Sequence, residues 1–187
     1  MNKKHIITIA GGIGSGKSST ADMVAKKLGY KRFSSGDFMR QVAVDMNMTL
    51  NELSTKAESD PSIDTKIDAE VKKAVEMNEV VIDSRLAFHW IPESFKIYLD
   101  LPPEISKSRI LNNLKENPLR RQSEESLTEE EIYEKITHRL ESEKKRFKEM
   151  YGVEHTDKNN FDLVIDTDKN NLEEVEGKIV SEYKNWI

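Results

Sequence analysis

The sequence predicts an α/β fold, a five-stranded parallel sheet with helices on both faces. Three observations predict it. Short apolar runs alternate with amphipathic stretches along nearly the whole chain, the pattern of strand–helix units that assemble into a parallel sheet. No internal repeat and no linker-like composition divides the chain. With 187 residues, 36% hydrophobic and 34% charged, it is long enough for a real core and has the charged surface of a soluble domain, not the composition of a disordered one.

The elements follow in order. Ile6 to Ala10 is an apolar strand. Lys17 to Leu28 is a helix with Ala21, Val24, Ala25 and Leu28 on one face and Gly29 as its stop. Lys31 to Ser34 is a second strand, and Ser35-Gly36-Asp37 opens a helix through Met46. Thr49, with Glu52 three residues on, has the form of a capping box for a third, short helix. Asp60-Pro61 puts proline at a first helical position, and Ile63, Ile67, Val71, Ala74 and Val75 mark the face of the helix that follows. Glu79 to Asp83 is an apolar strand ending in a carboxylate, and Phe95 to Leu101 is the next strand. Pro102-Pro103 opens a helix through about Leu114. Lys115 to Glu131 is polar, highly charged and broken by Pro118, which reads as a mobile excursion. A long charged helix runs from about Thr128 to Tyr151, and Phe161 to Asp166 is the fifth strand. The closing helix shows Leu172, Val175, Ile179, Val180 and Tyr183.

Gly11, Gly16, Lys17 and Ser18 spell Gly-x-x-x-x-Gly-Lys-Ser between the first strand and its helix. Strand, Gly-rich loop and helix together make a P-loop, so the fold narrows to a P-loop NTPase. Each residue type has a chemical reason. Glycines let backbone N–H groups close around phosphate oxygens, and the helix N-terminus adds donors and a partial positive charge. Gly11, Gly12, Ile13, Gly14, Ser15, Gly16, Lys17, Ser18 and Ser19 are therefore the expected ATP-binding residues. Lys17 reaches the β/γ-phosphates and the Ser18 hydroxyl ligates Mg²⁺, the expected cofactor. Asp83, at the end of its strand, is the position from which such an enzyme holds Mg²⁺ or its waters. Asp37 is a second metal candidate; its bland alternative is a first-turn acid complementing the helix dipole.

A second anionic substrate calls for arginines near strand ends. Arg40 lies one turn into the helix that begins at Ser35, and Arg85 lies two residues beyond Asp83. Ser35, Gly36, Arg40, Asp83 and Arg85 are thus the expected acceptor-binding set, against the alternative of ordinary surface ion pairs. In the long helix, Arg139, Glu143 and Arg146 share a face, with the carboxylate between two guanidiniums. They either orient a transferring phosphoryl group or form intrahelical pairs. Lys17, Arg85, Arg139 and Arg146 are the expected catalytic residues. The segment from Lys115 to Tyr151 is expected to act as a lid whose arginines meet anions when substrates bind. Arg120 and Arg121 either close over the polyphosphate or solubilise the loop. Phe88, His89 and Trp90 either wall a base or pack in the core, and Trp186 is expected to pack the last helix on the sheet.

Composition removes other chemistries. A net charge of -5 argues against non-specific nucleic-acid binding. No cysteine means no disulfide, thiolate nucleophile or Cys-based zinc site, and the four histidines lack metal-ligand spacing. Lys3 and Lys4 precede an apolar stretch that runs straight into the P-loop, so no signal peptide is read. No apolar run approaches the roughly 18 residues of a membrane span. A cytoplasmic monomer without membrane or nucleic-acid partners is the expectation.

The chain resembles the nucleoside monophosphate kinases, most of all the short archaeal-type cytidylate kinases. The resemblance lies in GGIGSGKSSTA (Gly11 to Ala21), SSGDFMRQVA (Ser34 to Ala43), MTLNEL with ESDPSIDTKID (Met48 to Asp68), EVVIDSRLA (Glu79 to Ala87), RLESEKKRFKEMYGVE (Arg139 to Glu154) and FDLVIDT (Phe161 to Thr167). It implies one kinase domain: a core of 1–34, 79–114 and 161–187, a helical monophosphate-binding insertion at about 35–78, and a lid at about 115–151. It further implies that Arg40 and Arg85 hold an acceptor monophosphate, that Arg139 and Arg146 serve the lid side, and that Asp166-Thr167-Asp168 lies near the donor base. The implied reaction is ATP-dependent phosphorylation of CMP or dCMP. Ser84 departs from the glycine frequent in the family, and the excursion from Asn112 to Glu131 is longer than in the shortest members. SSGDFMR also resembles the adenylate kinase acceptor motif, and GGIGSGKS the loop of dephospho-coenzyme A kinases. A kinase of AMP or dephospho-coenzyme A, or a nucleotide-dependent switch ATPase, therefore stays open.

Overall fold

The computed structural model describes residues 5–116 and 128–187. Pro118, Arg120 and Arg121 lie outside the described residues. Among the described residues, five strands, β1 (Ile6–Gly11), β2 (Lys31–Ser34), β3 (Val80–Asp83), β4 (Phe95–Asp100) and β5 (Leu163–Asp166), form one sheet in the order β2-β3-β1-β4-β5. All four pairings are parallel. The chain leaves β1 toward one edge and later crosses to the other side of it, so the strand order reverses at the carboxyl end of β1. That is where an open α/β sheet offers its crevice.

Successive residues of a strand face opposite sides of the sheet, and both sides are covered. Ile7 and Ile9, with Val81, Ile97, Leu99 and Ile165, pack against α1 (Lys17–Leu28) and the C-terminal helix, α8 (Leu172–Trp186). Ile6, Val80 and Ile82 face the other way, onto Val71, Ala74, Ala87 and Ile91. Ile6, Ile7 and Ile9 are fully buried, and each such side chain stabilises the fold by roughly 1.5–3 kcal/mol. Double coverage is why these strands read as unbroken apolar runs rather than as alternating ones.

Three helices between β2 and β3 build a satellite core. α2 (Ser35–Asp45), α3 (Leu50–Ser59) and α4 (Ser62–Lys73) bury Val42, Ala43, Leu53, Ala57 and Ile63 together. The Thr49–Glu52 capping box opens α3 as expected. Pro61, just before Ser62, already has helical dihedrals (φ -60, ψ -14), and the Asp60 carboxylate before it accepts from the Ser62 N–H at 3.1 Å. The one-turn helix α5 (Ala87–Trp90) is too short for periodicity to reveal. α6 (Pro103–Glu116) takes in two residues assigned to the polar excursion. α7 (Glu129–Tyr151) opens with a second capping box, Thr128 with Glu131, and ends on Gly152 in the left-handed region.

Two strand starts differ from the sequence reading for local reasons. Glu79 has φ 59, a left-handed turn that starts β3 at Val80. A 3-10 turn, Lys158–Asn160, capped by Asp157, delays β5 to Leu163. The aromatics resolve into packing. Phe88 is buried with Ala10 and Tyr98, Trp90 packs on the cluster around Ile82, and Trp186 lies 5.5 Å from Phe95. None of the described helices is long and apolar enough to cross a membrane.

Candidate active site

The loop after β1 is shaped by its neighbours. Gly11 has φ 149, and a Cβ there would stand 2.5 Å from the carbonyl oxygen of Leu99, its register partner on β4. Only glycine fits so close an approach. Gly16, at φ 83, turns the chain into α1 as its N-cap. The Ser15 hydroxyl donates to the Gly12 carbonyl at 2.9 Å, and Ser106 of α6 donates to the Ile13 carbonyl at 2.6 Å, which ties the loop to the helix behind it. Lys17 Nζ donates to the carbonyls of Gly11 at 3.0 Å and Gly12 at 2.6 Å, so its ammonium lies over the loop it follows. Ser18 and Ser19 sit in the first turn of α1, where N–H groups and the helix dipole favour an anion.

Asp83 reaches this loop because β3 is the neighbour of β1, with Ile9 opposite Asp83. The Ser18 hydroxyl donates to Asp83 Oδ2 at 2.7 Å. A hydroxyl and a buried carboxylate are hard oxygen donors of the kind Mg²⁺ takes, and Mg²⁺ is usually held by one or two protein oxygens, with phosphates and water completing its shell. Among the described residues no group of three or more His, Cys, Asp or Glu side chains could hold a metal ion.

Asp37 is engaged elsewhere. Its carboxylate accepts from Arg32 at 3.0 Å and from Arg40. Burial pushes its pKa up, but the two guanidiniums outweigh that and hold it below the ordinary carboxylate value. Sequence reasoning missed Arg32, which ion-pairs with Asp22 at 3.3 Å, Asp37 at 3.0 Å and Asp83 at 3.3 Å. Its signal was present: a guanidinium inside a strand that neighbours the strand ending in Asp83.

Beyond Asp83 the chain enters a cavity of about 60 Å³, bounded by Ser35, Gly36, Asp64, Arg85, Glu143 and Arg146 among others. Arg85 pairs with Glu143. Arg146 Nε donates to Asp64 Oδ2 at 2.7 Å, and its Nη1 donates to Ser142 Oγ at 2.5 Å. Two sequence expectations are thereby corrected. Glu143 does not sit between Arg139 and Arg146 as their shared partner: it crosses to Arg85, while Arg146 is met by Asp64 of α4. Arg146 does not wait for a substrate anion, since it meets the carboxylate of Asp64 within the chain. Arg139 lines a different hollow, with Asn51, Ser54 and Thr55 of α3.

Arg40 is half exposed on Asp37 rather than in this cavity. A Cβ at Gly36 would stand in ordinary van der Waals contact with its Nη2, at 3.8 Å. Ser84 needs no glycine: it is not among the positive-φ residues, and its hydroxyl accepts from the Leu86 N–H at 3.4 Å. Behind the cavity, Tyr151 donates to Asp68 Oδ2 at 2.5 Å. Burial raises the Asp68 pKa, and the tyrosine hydrogen bond opposes the rise. His155 is buried beside Phe147; burial first, then the Arg85 charge, lowers its pKa to about 4. On the other side of the P-loop, Arg109 of α6 donates to the Thr167 carbonyl at 2.6 Å, which fixes the 166–168 loop after β5. Asp64, Asp68 and His155 went unread as site residues because their roles depend on which helices meet.

The comparisons with known proteins bear on the family and the fold. Residues 6–169 match the family described as "Cytidylate kinase-like family". A cytidylate kinase of Methanocella arvoryzae is 37% identical over 165 residues, which covers 88% of each chain. An S-adenosylmethionine-dependent nucleotide dehydratase of Lacinutrix mariniflava is 32% identical over 183 residues, 97% of this chain but 36% of that longer one. Among solved structures, shikimate kinase from Bacteroides thetaiotaomicron superposes with a TM-score of 0.63 at 15% identity, covering 97% of this chain and 98% of that one. At that identity the likeness is one of fold.

Proposed function

The chain belongs to the cytidylate kinase-like family, and from that premise we propose that it transfers the γ-phosphoryl group of ATP to the phosphate of CMP or dCMP, giving ADP and the nucleoside diphosphate. One observation carries the reading. Two arginines from different elements, Arg85 after β3 and Arg146 on α7, line a single cavity that begins one residue past the Ser18–Asp83 pair of the phosphate loop. A switch ATPase has no need of a second cation group beside the first, whereas a kinase must hold two polyanions together.

In this mechanism the Gly11 to Ser19 backbone wraps the ATP phosphates, and Lys17 leaves the loop carbonyls for the β/γ-phosphates. Ser18 and Asp83, with Asp37 as the outer candidate, would hold Mg²⁺ or its waters. When bound, Mg²⁺ screens the charge of the donor phosphates. Arg40 and Arg85, with Ser35 and Gly36, take the acceptor phosphate, and Arg139 and Arg146 stabilise the charge of the transferring group. The acceptor phosphate has a second pKa of about 6 and is already an anionic nucleophile near neutral pH, so no general base is required. Catalysis is then positioning and charge stabilisation. The 35–78 region acts as the acceptor-binding insertion, and the region from 115 to 151 as a lid that excludes water from the transfer.

A coupled ADP-release assay with Mg-ATP and a panel of CMP, dCMP, UMP, AMP and dephospho-coenzyme A tests the proposal. CMP or dCMP is expected to give the highest kcat/KM. A preference for AMP or dephospho-coenzyme A would replace the acceptor assignment, and ADP release with no phosphorylated acceptor would replace kinase by ATPase.

A further inference from the structure

On the kinase reading above, α4 and α7 move apart to enlarge the cavity of about 60 Å³ for the acceptor, the acceptor phosphate takes its Arg85 end, and something must read the base at the other end. We infer that Asp68 does so, accepting a hydrogen bond from the exocyclic amine of cytosine. Asp64 and Asp68 lie one turn apart on α4 and both face the cavity that Arg85 lines. Asp64 is already bound by Arg146 through Nε at 2.7 Å. Asp68 is 5% exposed, and one of its oxygens is fixed by the Tyr151 hydroxyl at 2.5 Å, which sets the orientation of the carboxylate. The cavity wall beside it is apolar, made of Met39, Ile67, Leu86 and Phe147. Flat apolar walls with one oriented acceptor are what a pyrimidine ring needs for a slot with a sense of direction.

The chemistry distinguishes pyrimidines. An ionised carboxylate is an acceptor only. Cytosine offers its N4 amine to such a group, whereas uracil presents a carbonyl oxygen at the same position, as thymine does. In a buried site the wrong match leaves two acceptors face to face without water between them. Burial raises the Asp68 pKa, and a donated N–H favours the ionised form while a facing carbonyl opposes it. The amine of adenine would also satisfy the carboxylate, so the inference concerns cytosine against uracil.

The test measures kcat/KM for CMP, UMP and the 2-pyrimidinone ribonucleotide that lacks the 4-amino group, in the parent protein, Asp68→Asn and Tyr151→Phe. In the parent, deleting the amino group is expected to lower kcat/KM about tenfold or more, the scale of one good base-edge contact. Asp68→Asn is expected to lower the CMP/UMP ratio at least tenfold and to abolish the difference between CMP and the 2-pyrimidinone ribonucleotide. Tyr151→Phe keeps the carboxylate but loosens it and should shift the ratio the same way, less far. Equal losses for CMP and UMP in Asp68→Asn would overturn the inference and give Asp68 a ribose-binding or structural role. If Asp68→Asn does not fold, the parent alone decides, because CMP and the 2-pyrimidinone ribonucleotide turning over equally overturns it as well. A parent that phosphorylates none of these nucleotides overturns the kinase reading and this inference together; a parent active on CMP with an unchanged ratio in the variant overturns only this inference.

Discussion

Arg146→Ala is expected to destabilise the fold by about 3–5 kcal/mol, far more than loss of a surface ion pair. The magnitude follows from burial. Arg146 and Asp64 side chains are 7% and 6% exposed, and Arg146 meets Asp64 through Nε at 2.7 Å and Nη2 at 3.5 Å. Truncating the arginine leaves the Asp64 carboxylate inside the protein with no counter-charge, and that uncompensated charge is the main contribution. Against a typical total stability of about 5–15 kcal/mol the loss is large. With a urea slope of about 1–3 kcal/mol per molar, the unfolding midpoint should fall by more than about 1 M. Arg146→Met combined with Asp64→Leu should recover most of the stability, since an apolar pair of similar volume is often no worse than a buried ion pair. The double variant should nevertheless transfer phosphoryl groups poorly, which separates the structural role of the pair from the proposed catalytic one. A single-variant loss below about 1 kcal/mol, with additive effects in the cycle, would refute the reasoning. It would mean that α7 does not rest on α4 in solution.

Lys17→Ala should abolish transfer while leaving the far-ultraviolet circular dichroism unchanged; turnover within a few-fold of the parent would remove Lys17 from the donor site. Arg40→Ala and Arg85→Ala should each weaken CMP binding about ten- to a hundred-fold, the effect of losing a charge-assisted hydrogen bond of roughly 1.5–3 kcal/mol, with ATP binding little changed in calorimetric titrations. Equal losses for both nucleotides would move those arginines out of the acceptor site. His155 predicts acid sensitivity: its folded pKa of about 4 lies below the unfolded value, so its contribution is present above about pH 6.5 and is lost as pH falls toward 4, at most about 3 kcal/mol. His155→Gln should flatten the urea midpoint between pH 7 and pH 4.5, and an unchanged slope would count against a buried neutral imidazole.

What the sequence made legible was whatever short-range chemistry decides. The P-loop and its helix needed only the spacing of Gly11, Gly16, Lys17 and Ser18 after an apolar run, and the α3 start only Thr49 and Glu52. The central strands β1 and β3 showed because burial on both faces makes each a continuous apolar run. Partner choice was another matter. Glu143 looked like the intrahelical partner of Arg139 and Arg146, yet it pairs with Arg85, 58 residues earlier. Arg146 takes Asp64, 82 residues away. Helical spacing fixes which side chains share a face, but it carries no information on what the face meets. Asp64 and Asp68 did leave a trace, as acids flanking Ile63 and Ile67 on the apolar side of α4, a placement that is unfavourable unless something pays for the burial.

The carboxylates that hold the rim arginines also bear on specificity. Arg85, partly buried, and Arg146, buried, are already matched by Glu143 and Asp64 respectively. Stripping water from these cations is therefore the smaller part of what an incoming acceptor must do. It has to displace a carboxylate, and the displaced carboxylate regains solvation or another donor only if helices α4 and α7 readjust. A phosphate monoester near neutral pH carries close to two charges and three acceptor oxygens against one charge and two oxygens. It can win that exchange where a neutral hydroxyl acceptor cannot. Paired in this way, the arginines are stable within the chain, and the threshold for engaging them is set by the charge of the ligand. On the proposed reading, that threshold favours a monophosphate as acceptor over water or a sugar hydroxyl, before any contact with the base is made.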